Sequence, residues 1–150
     1  MTVVTCALLA MLLPFMSQAT GMEPDPLSQY RWAHRLLVIH VPDTESGRLT
    51  MEAFRAAIEQ DVPAVRDRDL LIVPVGDLPR AGQVLQPTVD LAPSQRAVVR
   101  RRLGMQGPEP QLVLIGKDGG VKARQSGAFD LPGAFALIDT MPMRRAERKQ

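Results

Sequence analysis

Five residues between two apolar stretches, Gly116-Lys117-Asp118-Gly119-Gly120, are the first candidate for chemistry. Glycines beside a lysine can cradle a phosphate, because bare backbone N–H groups approach an anion closely. A Walker-type loop needs its lysine after the glycines, a Ser or Thr next, and a helix opening behind it. Here the lysine comes first, no Ser or Thr follows, and alternation resumes at Val121. Asp118-Gly119 therefore predicts a β-hairpin turn, where glycine takes positive φ without steric cost. Lys117 and Lys122 would form a small exposed basic patch there with Arg124.

His34 and His40 are the only histidines. Six residues apart, they share one face of a continuous strand. Zinc takes three or four ligands, and the nearest carboxylates are Asp43 and Glu45. No metal site and no cofactor is expected. His40 reads as a neutral core histidine with one hydrogen bond. A Ser46–His40 pair lacks the nucleophile-elbow motif that would make it a hydrolase site. Tyr30 and Trp32 are the only Tyr and Trp. In an extended segment their rings share a face, either closing the end of the core or forming an exposed aromatic platform with Arg31.

The single cysteine is Cys6. Only MTVVT precedes it, which is too little for a lipoprotein anchor. Residues 1–19 contain no charged side chain, and the apolar core from Val3 to Met16 has signal-peptide length. Ser17-Gln18-Ala19 predicts cleavage after Ala19, although no Lys or Arg stands ahead of the core. The expected product is exported, periplasmic or secreted, without a transmembrane helix. It would contain no thiol nucleophile, disulfide or thiolate ligand.

At 150 residues the chain suits one domain, and 45% hydrophobic with 23% charged residues is globular rather than disordered composition. A net charge of +2 is too small to imply a nucleic-acid partner. The positioning elements follow from periodicity. Arg35–Val41 and Leu70–Val75 read as buried strands, bounded by Pro42 and Gly76. Between them a helix starts near Leu49, with Thr50 as cap, and ends or bends at Pro63. Residues 76–93 are irregular. A helix from Pro93 stops at Gly104 and carries Arg100-Arg101-Arg102 as a solvated face. Strand QLVLIG, the turn, strand VKARQ and a helix over 131–140 follow. The tail, with Arg144, Arg145, Arg148 and Lys149, is expected to fray and could attach weakly to an anionic surface.

This β-α-β-α-β-β-α order is that of the thioredoxin fold, a central mixed sheet of about four strands flanked by helices. Gly104, Gly107, then Pro110 before a strand and a Lys-Asp-Gly hairpin resemble the C-terminal half of thioredoxins. By that resemblance Pro110, after Glu109, takes the place of their cis-proline. YRWAHRLLVIHVP, LIGKDGGVKAR and IDTMPMRRAE resemble a bacterial, mostly secreted family known as a domain of unknown function, DUF4174. The resemblance runs from about Leu27 to Glu147. It implies a thioredoxin- or peroxiredoxin-like fold, export, and kinship with domains of animal sushi-repeat and extracellular-matrix proteins. It supplies no reaction and no catalytic residues.

Thioredoxins carry Cys-x-x-Cys after the first long strand. Here that place holds Pro42–Leu49, without cysteine, so thiol–disulfide exchange and thiol peroxidase activity are not expected. The chain divides into a signal peptide (1–19), an extended lead-in (20–29), the thioredoxin-like domain (30–142) and a basic tail (143–150). The expected function is a binding or interaction module for a protein or envelope partner, with Arg31, Trp32, Lys117 and Lys122 as contact candidates. One alternative is a non-thiol enzyme using the degenerate site region of Pro42, Asp43, Glu45, Arg48 and Pro110. The other is a structural or adhesion protein of the envelope or matrix.

Overall fold

A computed structural model describes residues 24–76 and 87–149. The leader reading of residues 1–19, its cleavage site and Cys6 lie outside the described residues, as do 20–23 and 77–86.

Four strands form one sheet: β1 (Arg35–His40), β2 (Leu70–Pro74), β3 (Gln111–Ile115) and β4 (Val121–Ser126). Their order is β2-β1-β3-β4, with β1 parallel to β2, and β3 antiparallel to both β1 and β4. The burial of all six β1 residues explains its unbroken apolar run, because a central strand is covered on both faces. Edge strand β4 is half-solvated and carries Lys122 and Arg124, charges that discourage pairing with another sheet. The opposite edge is covered by its own chain. Ile72 N–H donates to the Pro87 carbonyl at 3.0 Å, and Val89 N–H donates to the Ile72 carbonyl at 2.8 Å.

Among the described residues, five α-helices clothe the sheet: α1 (Glu45–Gln60), α2 (Val62–Asp67), α3 (Pro93–Leu103), α4 (Leu131–Thr140) and α5 (Pro142–Glu147). Strand alternation divides the core. Leu37, Ile39, Leu112 and Leu114 face α1, α2 and α4, where Phe54, Ile58, Val65, Phe135 and Ile138 are buried. Leu36, Val38, Val113 and Ile115 face the lead-in and α3, against Leu27, Val99, Leu103 and Met105. Each fully buried aliphatic side chain contributes about 1.5–3 kcal/mol, so this layering dominates the stability of the fold.

Several expectations need correction. The helix begins at Glu45, four residues before Leu49, and Thr44 rather than Thr50 caps it: its hydroxyl accepts from Gly47 N–H at 3.0 Å. Apolar periodicity marks only the buried stripe. The first turn is set instead by the cap and by Glu45 at the positive helix end, and Leu49 faces solvent. The break expected at Pro63 falls two residues earlier, at Asp61, and Pro63 itself sits in the first turn of α2, where its missing N–H costs nothing. Tyr30 and Trp32 do not share an extended face. Ser28–Tyr30 form a 3₁₀ turn, and Trp32 has φ +69°. The tail does not fray over 142–147. It forms α5, and Arg144 is only 5% exposed.

Candidate functional site

The region that carries the cysteines in thioredoxins follows β1. His40 and Pro42 are buried, and Gly47 packs so closely that a Cβ there would lie 2.1 Å from the Pro42 carbonyl oxygen. Asp43 pairs with Arg48 at 3.1 Å, both well exposed, and Glu45 points to solvent in the first turn of α1. These three side chains do not converge with His40 on a common point. Pro110 is buried immediately before β3, and its carbonyl accepts from Gly127 N–H at 2.9 Å. A hollow of about 390 Å³ lies beside the loop, bounded by His40, Pro42, Arg100, Arg101 and Gly107. His40 Nε2 is 3.4 Å from the Gly107 carbonyl oxygen, while its Nδ1 is buried without a partner.

The GKDGG segment is the β3–β4 turn. Gly116 N–H donates to the Gly120 carbonyl and Gly119 N–H to the Gly116 carbonyl, both at 2.9 Å, with Gly119 at φ +80°. Its lysines do not form an open patch. Lys122 is held 2.6 Å from Asp118, and Arg124 donates to the Leu103 carbonyl at 2.6 Å. Lys117 Nζ lies 2.7 Å from both Asp69 and Glu147.

Lys117 belongs to an ionic cluster at this end of the sheet. Glu147 also reaches both terminal nitrogens of Arg35 at 3.2 Å. Arg144 pairs with Asp67 and, at 3.3 Å, with Asp139, which in turn holds Arg68 at 2.6 Å. Burial alone would raise the Glu147 and Asp139 carboxyls, but their cationic neighbours outweigh it and leave both below the usual carboxylate range. Burial alone would lower the Lys117 ammonium, yet hydrogen bonds to Asp69 and Glu147 leave it raised. Sequence reasoning missed Glu147, Asp69 and Arg144. The available signal was Arg35, an arginine opening an otherwise apolar strand, which demands a buried carboxylate partner.

Arg31 and Trp32 stand at the same end, on the α3 side of the sheet. Trp32 is 65% exposed, and its N–H donates to the Lys117 carbonyl at 2.6 Å. Arg31 extends over the turn; a Cβ on Gly119 would lie 2.6 Å from Arg31 Nε. Beside them is a cavity of about 190 Å³ between the lead-in, α3 and the sheet. Thus Arg31 lines a cavity with Trp32 beside it, whereas Lys117 and Lys122 are committed to carboxylates. Among the described residues, no group of three or more His, Cys, Asp or Glu could hold a metal ion. Among them, no helix is long and apolar enough to cross a membrane.

The family model for the domain of unknown function DUF4174 matches residues 26–147. The chain belongs to that family. The sheet of this DUF4174 domain also resembles the reduced 2-Cys peroxiredoxin of Plasmodium vivax. That likeness has a TM-score of 0.56 at 14% identity, covering 81% of this chain and 84% of that one. It shows a thioredoxin-like fold and nothing of activity. A structure described as Trgpx in apo form matches at a TM-score of 0.36 with 20% identity, over 83% and 86% of the two chains. No curated protein matches the DUF4174 chain.

Proposed function

We propose that this DUF4174 domain is an exported binding module that has kept the thioredoxin-like scaffold without its thiol chemistry. Export rests on the uncharged apolar stretch of residues 1–19. The loss of thiol chemistry rests on the sequence, since no cysteine follows Cys6. The binding reading is carried by one observation, the placement of Trp32. A bulky residue at positive φ costs roughly 1–2 kcal/mol, and a large aromatic ring left in water gains nothing by burial. Strain of this kind is retained where the exposed group has a task. Tryptophan is also a side chain that interfaces favour.

The test is co-purification of the full chain from its own envelope extract, comparing wild type with Trp32→Ala and Arg31→Ala. The module reading expects a reproducible partner that both variants lose while circular dichroism stays native. Retention of every partner by both folded variants would refute it. Insulin-reduction and peroxide-consumption assays should read zero.

The non-thiol enzyme alternative has one observation in its favour, the hollow before His40 with the unpartnered Nδ1. Asp43, Glu45 and Arg48 do not line it, so among the described residues the hollow lacks the acid that would orient a histidine base.

A further inference from the structure

We propose that the cavity beside Arg31 is a binding site for a small carboxylate with a compact apolar body, the size of a benzoate. The inference rests on the binding-module reading and names a ligand class for the same face. The cavity has an apolar floor. Leu36, Val99, Leu103 and Ile115 line it and belong to the buried core on this side of the sheet. Its volume of about 190 Å³ compares with the roughly 150 Å³ that encloses a benzene molecule in an engineered protein cavity. One ring with a carboxylate at the rim therefore fits, while a long acyl chain would not be enclosed.

The polar groups around the cavity select the charge. Arg31, Arg102 and Arg124 line it together with one carboxylate, Asp25, and Arg102 is paired with Asp25. Two cations remain uncompensated. Among the described residues the Arg31 guanidinium has no hydrogen-bond or ion-pair partner, and Arg124 uses a single nitrogen, on the Leu103 carbonyl. Two guanidinium groups with spare donors that line the same apolar recess form a receptor for a carboxylate, which arginine binds through paired hydrogen bonds. His34 also lines the cavity, and its Nδ1 is buried without a hydrogen-bond partner, a cost that a ligand acceptor or donor would remove. The imidazole packs edge-on against Tyr30, with ring centroids 6.4 Å apart, so it is already oriented.

The lone tryptophan, Trp32, follows Arg31 directly and serves as a fluorescence reporter. The full chain is titrated at low salt with benzoate, with benzyl alcohol as body without charge, and with acetate as charge without body. Calorimetry supplies a second readout. Saturable one-to-one benzoate binding is expected, with both partial ligands weaker by about tenfold or more. Arg31→Gln should weaken benzoate by about tenfold or more and leave benzyl alcohol unchanged. Arg31 is exposed, so this variant is expected to fold, and circular dichroism checks that. Equal binding of acetate and benzoate, equal binding of benzyl alcohol and benzoate, or no saturable binding would each overturn the proposal. If benzoate fails while partner capture still depends on Trp32, only the ligand assignment falls. If capture is also indifferent to Trp32 and Arg31, the module reading falls with it.

Discussion

Replacing Glu147 by glutamine tests whether an ionic lock holds the C-terminal helix to the sheet. The carboxylate lies 3.2 Å from the two terminal Arg35 nitrogens and 2.7 Å from Lys117 Nζ. Arg35 is 1% exposed, and among the described residues its guanidinium donates, apart from Glu147, only to the Arg68 carbonyl at 2.8 Å. Removing one partner of a fully buried ion pair costs about 3–5 kcal/mol, since the other charge is left enclosed. Two facts reduce that here. The Glu147 side chain is 27% exposed, so water can reach the vacated position, and glutamine retains an oxygen acceptor. The expected loss is about 2 kcal/mol for Glu147→Gln and about 3 kcal/mol for Glu147→Ala. In a domain of this size that lowers Tm by about 6–12 °C for the glutamine variant. The assay is urea and thermal unfolding followed by circular dichroism, extended to a double-mutant cycle with Lys117→Met. Coupling of at least about 0.5 kcal/mol is expected. A Glu147→Gln change within about 0.5 kcal/mol of wild type, or strict additivity with Lys117→Met, would refute the lock.

The lock also sets a pH dependence. Glu147 and Asp139 in the ionic cluster, and separately Asp118 beside Lys122 in the turn, have folded-state pKa values below their ordinary ones. Their stabilisation is complete above the ordinary carboxylate range and is lost as pH falls through the depressed values. Urea midpoints should therefore drop on acidification below about pH 5, and Glu147→Gln should flatten that slope. A flat wild-type profile down to full protonation would contradict the assignment. Gly47→Ala should cost about 1–3 kcal/mol, because its Cβ meets the Pro42 carbonyl oxygen at 2.1 Å and backbone must move; a neutral result in urea unfolding would show that the loop is slack. Trp32→Gly should leave stability unchanged or raise it by up to about 1 kcal/mol, since relief at φ +69° exceeds the entropy glycine adds to the unfolded chain. A marked loss would make the tryptophan structural.

The strands, the helix over 131–140 and the hairpin were legible because each is written in local pattern. Leu36–Ile39 and Leu112–Ile115 are apolar on both faces, and Leu131, Phe135 and Ile138 recur on one helical side. What periodicity could not carry was anything held by charge. The basic tail looks solvated until Asp67, Asp139 and the sheet end are placed around it; Asp139 is near Arg144 in sequence, but Asp67 is far away and only the fold brings it there. The same blindness applied to Lys117, which looks like an open cation at a turn but is closed by Asp69 and Glu147. Arg31 and Trp32 were visible as unusual residues. Their relation to a cavity was not, because it depends on the fold bringing Arg31 over the distant turn glycine Gly119.

Two of the three stretches through which the sequence resembles its family contain LIGKDGG and MPMRRAE, which are separated by about twenty residues and look unrelated on paper. In space they meet through one ion pair, Lys117 with Glu147, and both lie against Arg35 at the start of the central strand. The conspicuous lysine of the glycine turn is thus a fastening, and its conspicuousness misdirects a search for a site. That division has a physical basis. A lysine neutralised by two carboxylates is a poor anion receptor, because a ligand must compete with fixed charges at 2.7 Å. The unobtrusive Arg31, with no partner among the described residues and an apolar recess beside it, retains its capacity to bind. The fastening also positions that residue. The Lys117 carbonyl accepts the Trp32 N–H at 2.6 Å, so ionic anchorage of the turn fixes the backbone from which Arg31 and Trp32 project. Breaking the lock by Glu147→Gln should therefore weaken benzoate at the Arg31 cavity, even though Glu147 does not line it. Wild-type affinity in the folded variant would separate the two features.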